Sequence, residues 1–226
     1  MKLHAEKISK EFIRNGRGSN TFLAVQETDF TLCEGTVTVL TGRSGSGKST
    51  LLNMLCGLSV PTTGKVLLDE TDLYAMPDHA LSKLRNQNFG VIPQGQTALH
   101  SLTVLENILL PFSLYRQPAD LDLAEELLEQ LDIAKLCDVK PAELSGGELR
   151  RMAIARAVVM KPAFIFADEP TGDLDDENTE TVFRFLRGAA NRGSAVMIVT
   201  HEHDAEQYAD AVFRMQAGQV LTENKC

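Results

Sequence analysis

The chain has 226 residues, 43% hydrophobic and 23% charged, a composition typical of a globular domain with a sizeable core. Its net charge of -9 argues against broad nucleic-acid binding, which depends on Lys and Arg neutralising phosphates. Its apolar runs are shorter than the about 20 residues of a membrane-spanning helix, and the amino terminus lacks a signal-peptide core, so we expect a cytoplasmic chain.

The amino-terminal part is predicted to form strands. Alternating runs at 2–8 and 22–33 are typical of strands, with an Asn- and Gly-rich turn at 15–20 between them. A turn at 61–64 precedes another short strand at 65–68. We therefore expect an antiparallel β subdomain formed by about 1–35 and 60–75.

The segment 42–50, GRSGSGKST, matches the P-loop pattern and lies between a predicted strand at 37–40 and a predicted helix at 51–55. Glycines let successive backbone N–H groups face one phosphate, and a helix beginning near Lys48 adds its positive end. Lys48 can reach the β- and γ-phosphates, and Ser49 can ligate Mg²⁺. The alternative is a glycine-rich turn that binds nothing. The predicted nucleotide-binding residues here are Gly42, Arg43, Ser44, Gly45, Ser46, Gly47, Lys48, Ser49 and Thr50.

The rest of the chain alternates between apolar runs and helical stretches. Apolar runs at 89–93, 163–167, 195–199 and 211–215 predict a mostly parallel sheet covered on both faces. The middle lacks convincing strands, and leucines within 121–131 recur at helical spacing. We therefore predict an α/β fold in a single domain, 1–226. It would have a RecA-like P-loop NTPase core and an inserted α-helical subdomain at about 97–160.

Two acidic residues follow the apolar run at 164–167. Asp168 and Glu169 would lie at the carboxyl edge of a parallel sheet, where such sheets bind ligands. In a P-loop ATPase, Asp168 would support Mg²⁺ and Glu169 would orient and polarise the attacking water. For an isolated acidic pair, a solvated turn would be the better explanation, and the P-loop elsewhere in the sequence favours the functional one.

Ser145 and Glu148 form a capping-box pattern at the start of a helix predicted to continue to about Met160. Gly146 and Gly147 are costly in a first helical turn, but they leave the helix N-terminus open to a phosphate of another molecule. Capping and anion binding are compatible here.

The four cysteines are scattered, without a C-x-x-C pair or a nearby His cluster. We interpret them as reduced thiols rather than as a disulfide framework or a zinc site.

Taken together, these motifs resemble the ABC family of ATPases over essentially the whole chain. The P-loop is followed, in the family's order, by Gln94, LSGGE at 144–148, IFADEP at 165–170, GDLD at 172–175 and THE with His201. The resemblance implies ATP and Mg²⁺ as cofactors and ATP hydrolysis as the activity.

The resemblance also implies a homodimer that traps two ATP molecules. Ser145, Gly146, Gly147 and Glu148 of one copy would then act in trans on the nucleotide held by the other. Asp175 would couple the two sites across the interface.

Four further roles follow from the same resemblance. Lys48, Glu169, His201 and Gln94 would be catalytic, and Gln94 would join Ser49 and Asp168 around the metal. His201 would contact the γ-phosphate, although a lone His at a strand end is ordinarily structural. Phe12 matches the position of an adenine-stacking aromatic, with strand packing as the alternative.

The segments TGDLD and LTVLEN resemble ATPases of lipoprotein release, macrolide export, antimicrobial-peptide resistance and cell division. That subgroup implies a separately encoded integral-membrane permease subunit, peripheral attachment to the cytoplasmic face of the membrane and no nucleic-acid partner. The segment from Gln94 to about Leu114 would form part of the docking groove, unless its apolar residues are merely core. The alternatives are an ABC ATPase of DNA repair, chromosome organisation or translation, and a metabolic P-loop kinase.

Overall fold

The computed structural model describes residues 1–13, 21–95, 97–172 and 174–224, with the backbone alone for 222–224. The predicted turn at 15–20, position 173 of GDLD and Cys226 lie outside these residues. The described strands are β1 (Lys2–Ile13), β2 (Thr21–Cys33), β3 (Val37–Thr41), β4 (Thr63–Leu68), β5 (Thr71–Asp72), β6 (Phe89–Ile92), β7 (Phe164–Asp168), β8 (Ala195–Thr200), β9 (Ala211–Gln216) and β10 (Gln219–Asn224). The described α-helices are α1 (Lys48–Leu55), α2 (Asp78–Asn88), α3 (Val104–Leu114), α4 (Leu121–Gln130), α5 (Gly146–Val158) and α6 (Asp176–Asn191).

The central sheet has the order β10-β9-β3-β8-β7-β6 and is parallel except for β10. Its strands β3, β7 and β8 are buried at every position, because both faces are covered. The strands feeding the P-loop and the Asp168–Glu169 pair therefore lie in the best-packed part of the fold.

Alternate residues of these strands face two separate hydrophobic cores. In β8, Val196 and Ile198 pack into the core shared with α3, α4, α5 and α6. Met197 and Val199 face the opposite core, which contains α1 and the antiparallel sheet. This period of two is that of a strand between two layers, and it holds the carboxyl edge of the sheet in place.

The second sheet has the order β2-β1-β4-β5 and is antiparallel throughout. It covers α1 with residues such as Leu3, Ile8 and Val66. The predicted fold class is confirmed, whereas the predicted bounds of the subdomains stay a prediction.

Within its described residues, the segment between β6 and β7 contains helices and connecting loops but no strand. Thr103 and Glu106 form a capping box at the start of α3, and Asp120 caps α4. Helix α5 packs against both α3 and β6, so it connects the helical segment to the parallel sheet.

Two strands were not predicted, the two-residue β5 and the strand β10. β10 pairs with β9 through a two-residue turn in which Ala217 (φ 47°) and Gly218 (φ 80°) both have positive φ. Two positive φ values are typical of tight hairpins, but Ala-Gly is a weaker signal than Asn-Gly. The predicted strand at 2–8 also continues to Ile13, because it remains paired with β2.

Candidate nucleotide-binding site

The P-loop connects β3 to α1 at the carboxyl edge of the parallel sheet. Gly47, the N-cap residue of α1, has a φ of 109° and makes no side-chain cap. A Cβ at this position would lie 2.2 Å from the carbonyl oxygen of Ala24, so the close approach of the two backbones requires glycine. The first N–H groups of α1 are thus presented to the loop without a competing side chain.

The ammonium group of Lys48 lies inside the curve of the loop. Its Nζ donates hydrogen bonds to the carbonyl oxygens of Gly42, at 2.7 Å, and Arg43, at 3.3 Å. The residue is only 6% exposed. The positive charge of Lys48 therefore lies next to the N-terminus of α1, and the charge and the helix N-terminus both favour binding of an anion.

Asp168 ends β7 beside the first turn of α1 and is buried. Burial raises the pKa of its carboxyl group, and a hydrogen bond from Ser49 opposes that rise. The charge of Glu169 raises the pKa further, whereas Lys48 and Arg150 lower it. Its Oδ1 is buried without a hydrogen-bond partner among the described residues, as expected for an atom suited to a cation.

Glu169 follows Asp168 with an unusual backbone conformation, a φ of 48°. Its N–H donates to the carbonyl oxygen of Val199, at 2.8 Å. Its Oε2 accepts from Thr200 Oγ1 at 3.0 Å and lies 3.0 Å from Nδ1 of His201. Left-handed conformations of non-glycine residues are costly and cluster at functional sites. The end of β8 therefore orients the carboxylate.

Most of the P-loop, Glu169 and His201 line a groove of about 650 Å³, which we call the nucleotide groove. It brings together distant parts of the chain: Phe12, Phe22, Ala24, residues 43–50, Gln94, Glu169 and His201. Phe12 and Phe22 are cross-strand partners in β1 and β2, 44% and 40% exposed. Sequence reasoning missed Phe22 and Thr200. Phe22 could have been found from the pairing of the two predicted strands, which places it opposite Phe12. Thr200 could have been found as the hydroxyl residue just before His201.

A second groove, of about 710 Å³, adjoins the loop on its other side and includes His201 and His203 among its lining residues. His203 Nδ1 lies 2.8 Å from Oε1 of Glu206, and its side chain is 75% exposed. The prediction that His203 is a surface residue agrees with this exposure.

The signature segment (145–148) is not among the residues that line the nucleotide groove. Ser145 caps α5, and the Oε2 of Glu148 accepts from the backbone N–H of Ser145 at 2.7 Å. These bonds hold the pKa of Glu148 below its usual range, the backbone bond most strongly. A Cβ on Gly146 would meet no atom of the described residues within 4 Å, whereas one on Gly147 would lie 3.1 Å from Cδ2 of Leu174. Packing against the described residues therefore does not require glycine at position 146.

Asp175 caps α6, and its Oδ1 accepts from the backbone N–H of Asn178 at 2.9 Å. This bond lowers the pKa of Asp175. Arg151 of α5 donates to the side-chain oxygen of Asn178, so the start of α6 is tied to α5. A role of Asp175 in coupling two sites stays a prediction.

The sequence profile of the ABC transporter family matches residues 25–172, well over half of the chain. The chain belongs to the ABC transporter family. The matched range contains the P-loop, Gln94, the signature segment, Asp168 and Glu169.

Two curated relatives of this cassette are each 36% identical to it. The lipoprotein-releasing system ATP-binding protein LolD of Shewanella frigidimarina aligns over 219 residues, which are 96% of this chain and 90% of LolD. The macrolide export ATP-binding/permease protein MacB of Chlorobaculum tepidum aligns over 209 residues, which are 92% of this chain and 32% of MacB. The cassette thus spans about a third of MacB and most of LolD.

The fold also matches that of MJ0796, a bacterial ABC transporter cassette solved as a dimer, and as a dimer in a post-hydrolysis state bound to ADP and Pi. The TM-score is 0.90 at 29% identity, over 99% of this chain and 100% of MJ0796. The protein is therefore an ATP-binding, ATP-hydrolysing cassette of an ABC transporter, which confirms the predicted activity and excludes a metabolic kinase.

Proposed function

We propose that two copies of this chain close around two ATP molecules and so drive a separately encoded membrane subunit. The observation that carries the proposal is the separation of the signature segment from the nucleotide groove, together with the open space at Gly146. A bare helix N-terminus suits a γ-phosphate, and a second copy can bring it there. The dimeric cassette MJ0796 supports this arrangement.

Each site would then be composite. Residues 42–50 of one copy hold the phosphates, and Ser145, Gly146, Gly147 and Glu148 of the other copy approach the γ-phosphate. The Glu148 carboxylate and the Ser145 hydroxyl are bonded to each other in the cap, so the groups that remain for the nucleotide are the backbone N–H groups of the two glycines. Asp175 would connect the two sites across the interface.

Magnesium fits one side of the groove. The partnerless Oδ1 of Asp168 and its hydrogen bond with Ser49 place an anionic and a hydroxyl oxygen together, as hard cations prefer. Within the described residues, no cluster of three His, Cys, Asp or Glu side chains is suited to a metal, so most ligands would be phosphate oxygens and water. Gln94, which also lines the groove, would contribute a further oxygen. Bound Mg²⁺ would supply positive charge to the β- and γ-phosphates.

Glu169 would orient the attacking water and accept its proton. Thr200 and His201 hold one carboxylate oxygen, Oε2, which turns Oε1 away from them. Lys48 and the helix N-termini stabilise the negative charge that develops on the phosphate oxygens. Cleavage removes the phosphate that bridges the copies, and the dimer opens.

The membrane partner is proposed from the two relatives, whose names include lipoprotein release and macrolide export. Each helix in the described part of the chain is too short or too polar to cross a bilayer. Residues near α3, including Leu99 at 44% and Leu114 at 65% exposure, offer apolar surface for docking. We place the cassette at the cytoplasmic face of the membrane, without a nucleic-acid partner, with the membrane subunit selecting the substrate. Its work would be export, extraction or force transmission.

The dimer is tested by Glu169→Gln, which keeps the shape of the side chain and removes the base. This variant should bind ATP, hydrolyse it at least about a hundredfold more slowly and elute as a dimer with ATP and Mg²⁺. Lys48→Ala should instead lose ATP binding. A folded Glu169→Gln variant that stays monomeric at saturating ATP contradicts the proposal.

The membrane partner is tested by affinity purification from membranes of the source cell. A multi-span protein should copurify and raise the ATPase rate when both are reconstituted. Copurification with ribosomes or DNA instead would favour the ABC ATPases that act without transport.

A further inference from the structure

The loop that carries Gln94 lies along one face of α5. This loop follows β6, and a small cavity of about 30 Å³ lies between it and the helix. Residues spaced by three or four share one face of a helix. The helix residues at this cavity have that spacing: Gly146, Leu149, Arg150 and Ala153.

Two arginines of α5 bind the loop on either side of Gln94. Arg150 donates from Nη1 to the carbonyl oxygen of Pro93, at 2.7 Å. Arg156 donates from Nη1 to the carbonyl oxygen of Thr97, at 2.9 Å, and from Nη2 to its Oγ1, at 2.5 Å. The loop is therefore attached to the helix both before and after Gln94.

These attachments are stronger than ordinary surface hydrogen bonds. Both donors are cationic, and Arg150 is 9% exposed. Burial lowers the pKa of Arg156, which shows that its guanidinium is partly removed from water. Losing either side chain would leave a loop carbonyl without its donor.

We propose that Arg150 and Arg156 are positioning residues that make Gln94 and the signature segment of one chain a single rigid unit. The signature segment is the first turn of α5, and the same helix holds the loop about one to three turns further on. The inference rests on the proposed two-copy arrangement, in which the signature segment meets the partner's ATP. The ATP of one site would then set the position of Gln94 in the other.

A rigid link of this kind makes the two sites interdependent. ATP bound by the partner favours one position of α5, and α5 carries Gln94 towards or away from its own nucleotide. Coupling between sites is reciprocal, so each ATP assists the other. The expected signature is cooperative ATP hydrolysis that depends on the two arginines.

The test replaces both arginines, as Arg150→Gln/Arg156→Gln, in the full chain. ATP binding without Mg²⁺, at sub-dimerising protein concentration, should stay within about twofold, because neither arginine lines the nucleotide groove and the charge of Arg150 acts on Asp168, at the proposed metal position. The Hill coefficient for ATP hydrolysis should fall from near 2 to about 1, and kcat should fall about tenfold. Hydrogen exchange of the backbone amides at 97–99 should rise.

Two comparisons separate coupling from a loss of structure. Arg184→Gln removes an exposed arginine that pairs with Glu180 on α6, and it should keep the wild-type Hill coefficient. Arg156→Lys keeps one charged donor and should retain part of the cooperativity, whereas Arg156→Gln alone, which loses the charge, serves as the main variant if the double variant does not fold.

The same substitutions in the Glu169→Gln background distinguish the two levels of the proposal. If Glu169→Gln alone fails to dimerise with ATP, the proposed function fails. If it dimerises and the added substitutions change neither the ATP dependence of dimerisation nor the Hill coefficient of the hydrolysing enzyme, the coupling role is overturned.

Discussion

The ring of His201 contacts one oxygen of the Glu169 carboxylate: Nδ1 of His201 lies 3.0 Å from Oε2 of Glu169. The Glu169 side chain is 13% exposed and the His201 side chain 69% exposed. The proposed base, Glu169, is therefore mostly buried and held by its neighbours in the protein, while the exposed His201 projects into the nucleotide groove. The same Oε2 also accepts from Thr200, so two neighbours in β8 and just after it orient the base.

Thr200→Val should lower kcat by roughly ten- to a hundredfold, because the variant loses the hydroxyl that orients the base. Thr200 is fully buried, and valine has nearly the same shape, so the core should stay packed. The Kd for ATP should not change. Steady-state hydrolysis with nucleotide titration measures both quantities.

Thr200→Ser is the matched control, since it keeps the hydroxyl and should recover most of the rate. An equal loss in both variants would assign the effect to packing instead. The backbone N–H of Glu202, which donates to the Thr200 hydroxyl at 3.1 Å, loses its partner in the valine variant, so thermal unfolding should accompany the kinetics.

Asp168→Asn should raise the thermal midpoint of the nucleotide-free protein at neutral pH while abolishing Mg²⁺-dependent hydrolysis. Burial raises the pKa of Asp168, so its charged form is disfavoured in the folded state relative to the unfolded state. At pH values above the pKa of Asp168 in the folded state, the buried charge lowers the free energy of unfolding. This cost disappears as the pH falls through that pKa.

The gap in midpoint between the wild type and Asp168→Asn should therefore narrow as the pH is lowered. Calorimetry in the absence of nucleotide and Mg²⁺, over a series of acidic to neutral buffers, measures it. If the variant is less stable than the wild type at neutral pH, the attraction between the Asp168 charge and Lys48 and Arg150 outweighs the cost of burying that charge.

Much of the site could be predicted from the sequence because its motifs are local. The P-loop needs glycines, Lys48 and Ser49 within a few positions, and the capping box of Ser145 and Glu148 spans four. Strands β3, β7 and β8 could be predicted because each is buried on both faces and so forms an apolar run. β10 lacks such a run, because it lies at the edge of the sheet.

Contacts between distant segments could not be predicted in the same way. Phe22 reaches the groove through its pairing with Phe12, and the register of that pairing includes irregular steps in β1. The bonds from Arg150 and Arg156 to the Gln94 loop join residues more than fifty positions apart. In the sequence, these two arginines look like any other arginines of a helix. Their contact with the loop becomes evident only when the fold places the loop beside α5.

Gly146→Ala should separate folding from assembly. A Cβ at this position meets no atom of the described part of the chain within 4 Å, so the free energy of unfolding should stay the same or rise by about 0.5–1 kcal/mol. The methyl group would nevertheless stand where the partner's phosphate approaches. ATP-dependent dimerisation and hydrolysis should therefore fall by at least about tenfold, with monomeric ATP binding intact.

Gly188→Ala, in the last turn of α6, is the matched helical control. Its Cβ would lie 3.4 Å from a terminal nitrogen of Arg192, a flexible neighbour, and the position is about three helical turns from the start of α6, the end that bonds to α5. This variant should hydrolyse ATP normally. Normal hydrolysis by Gly146→Ala as well would contradict the composite site.

Phe12→Ala and Phe22→Ala test whether this aromatic pair binds the base. Both rings are partly exposed in the nucleotide groove, and stacking on a base is worth about 1–3 kcal/mol. Each variant should therefore raise the Kd for ATP by at least about fivefold, while the Kd for inorganic triphosphate should stay unchanged because it has no base to stack. Ile13→Ala, on a neighbouring side chain that is 81% exposed, should leave both constants unchanged. A lower midpoint of thermal unfolding with an unchanged Kd for ATP would assign Phe12 to strand packing.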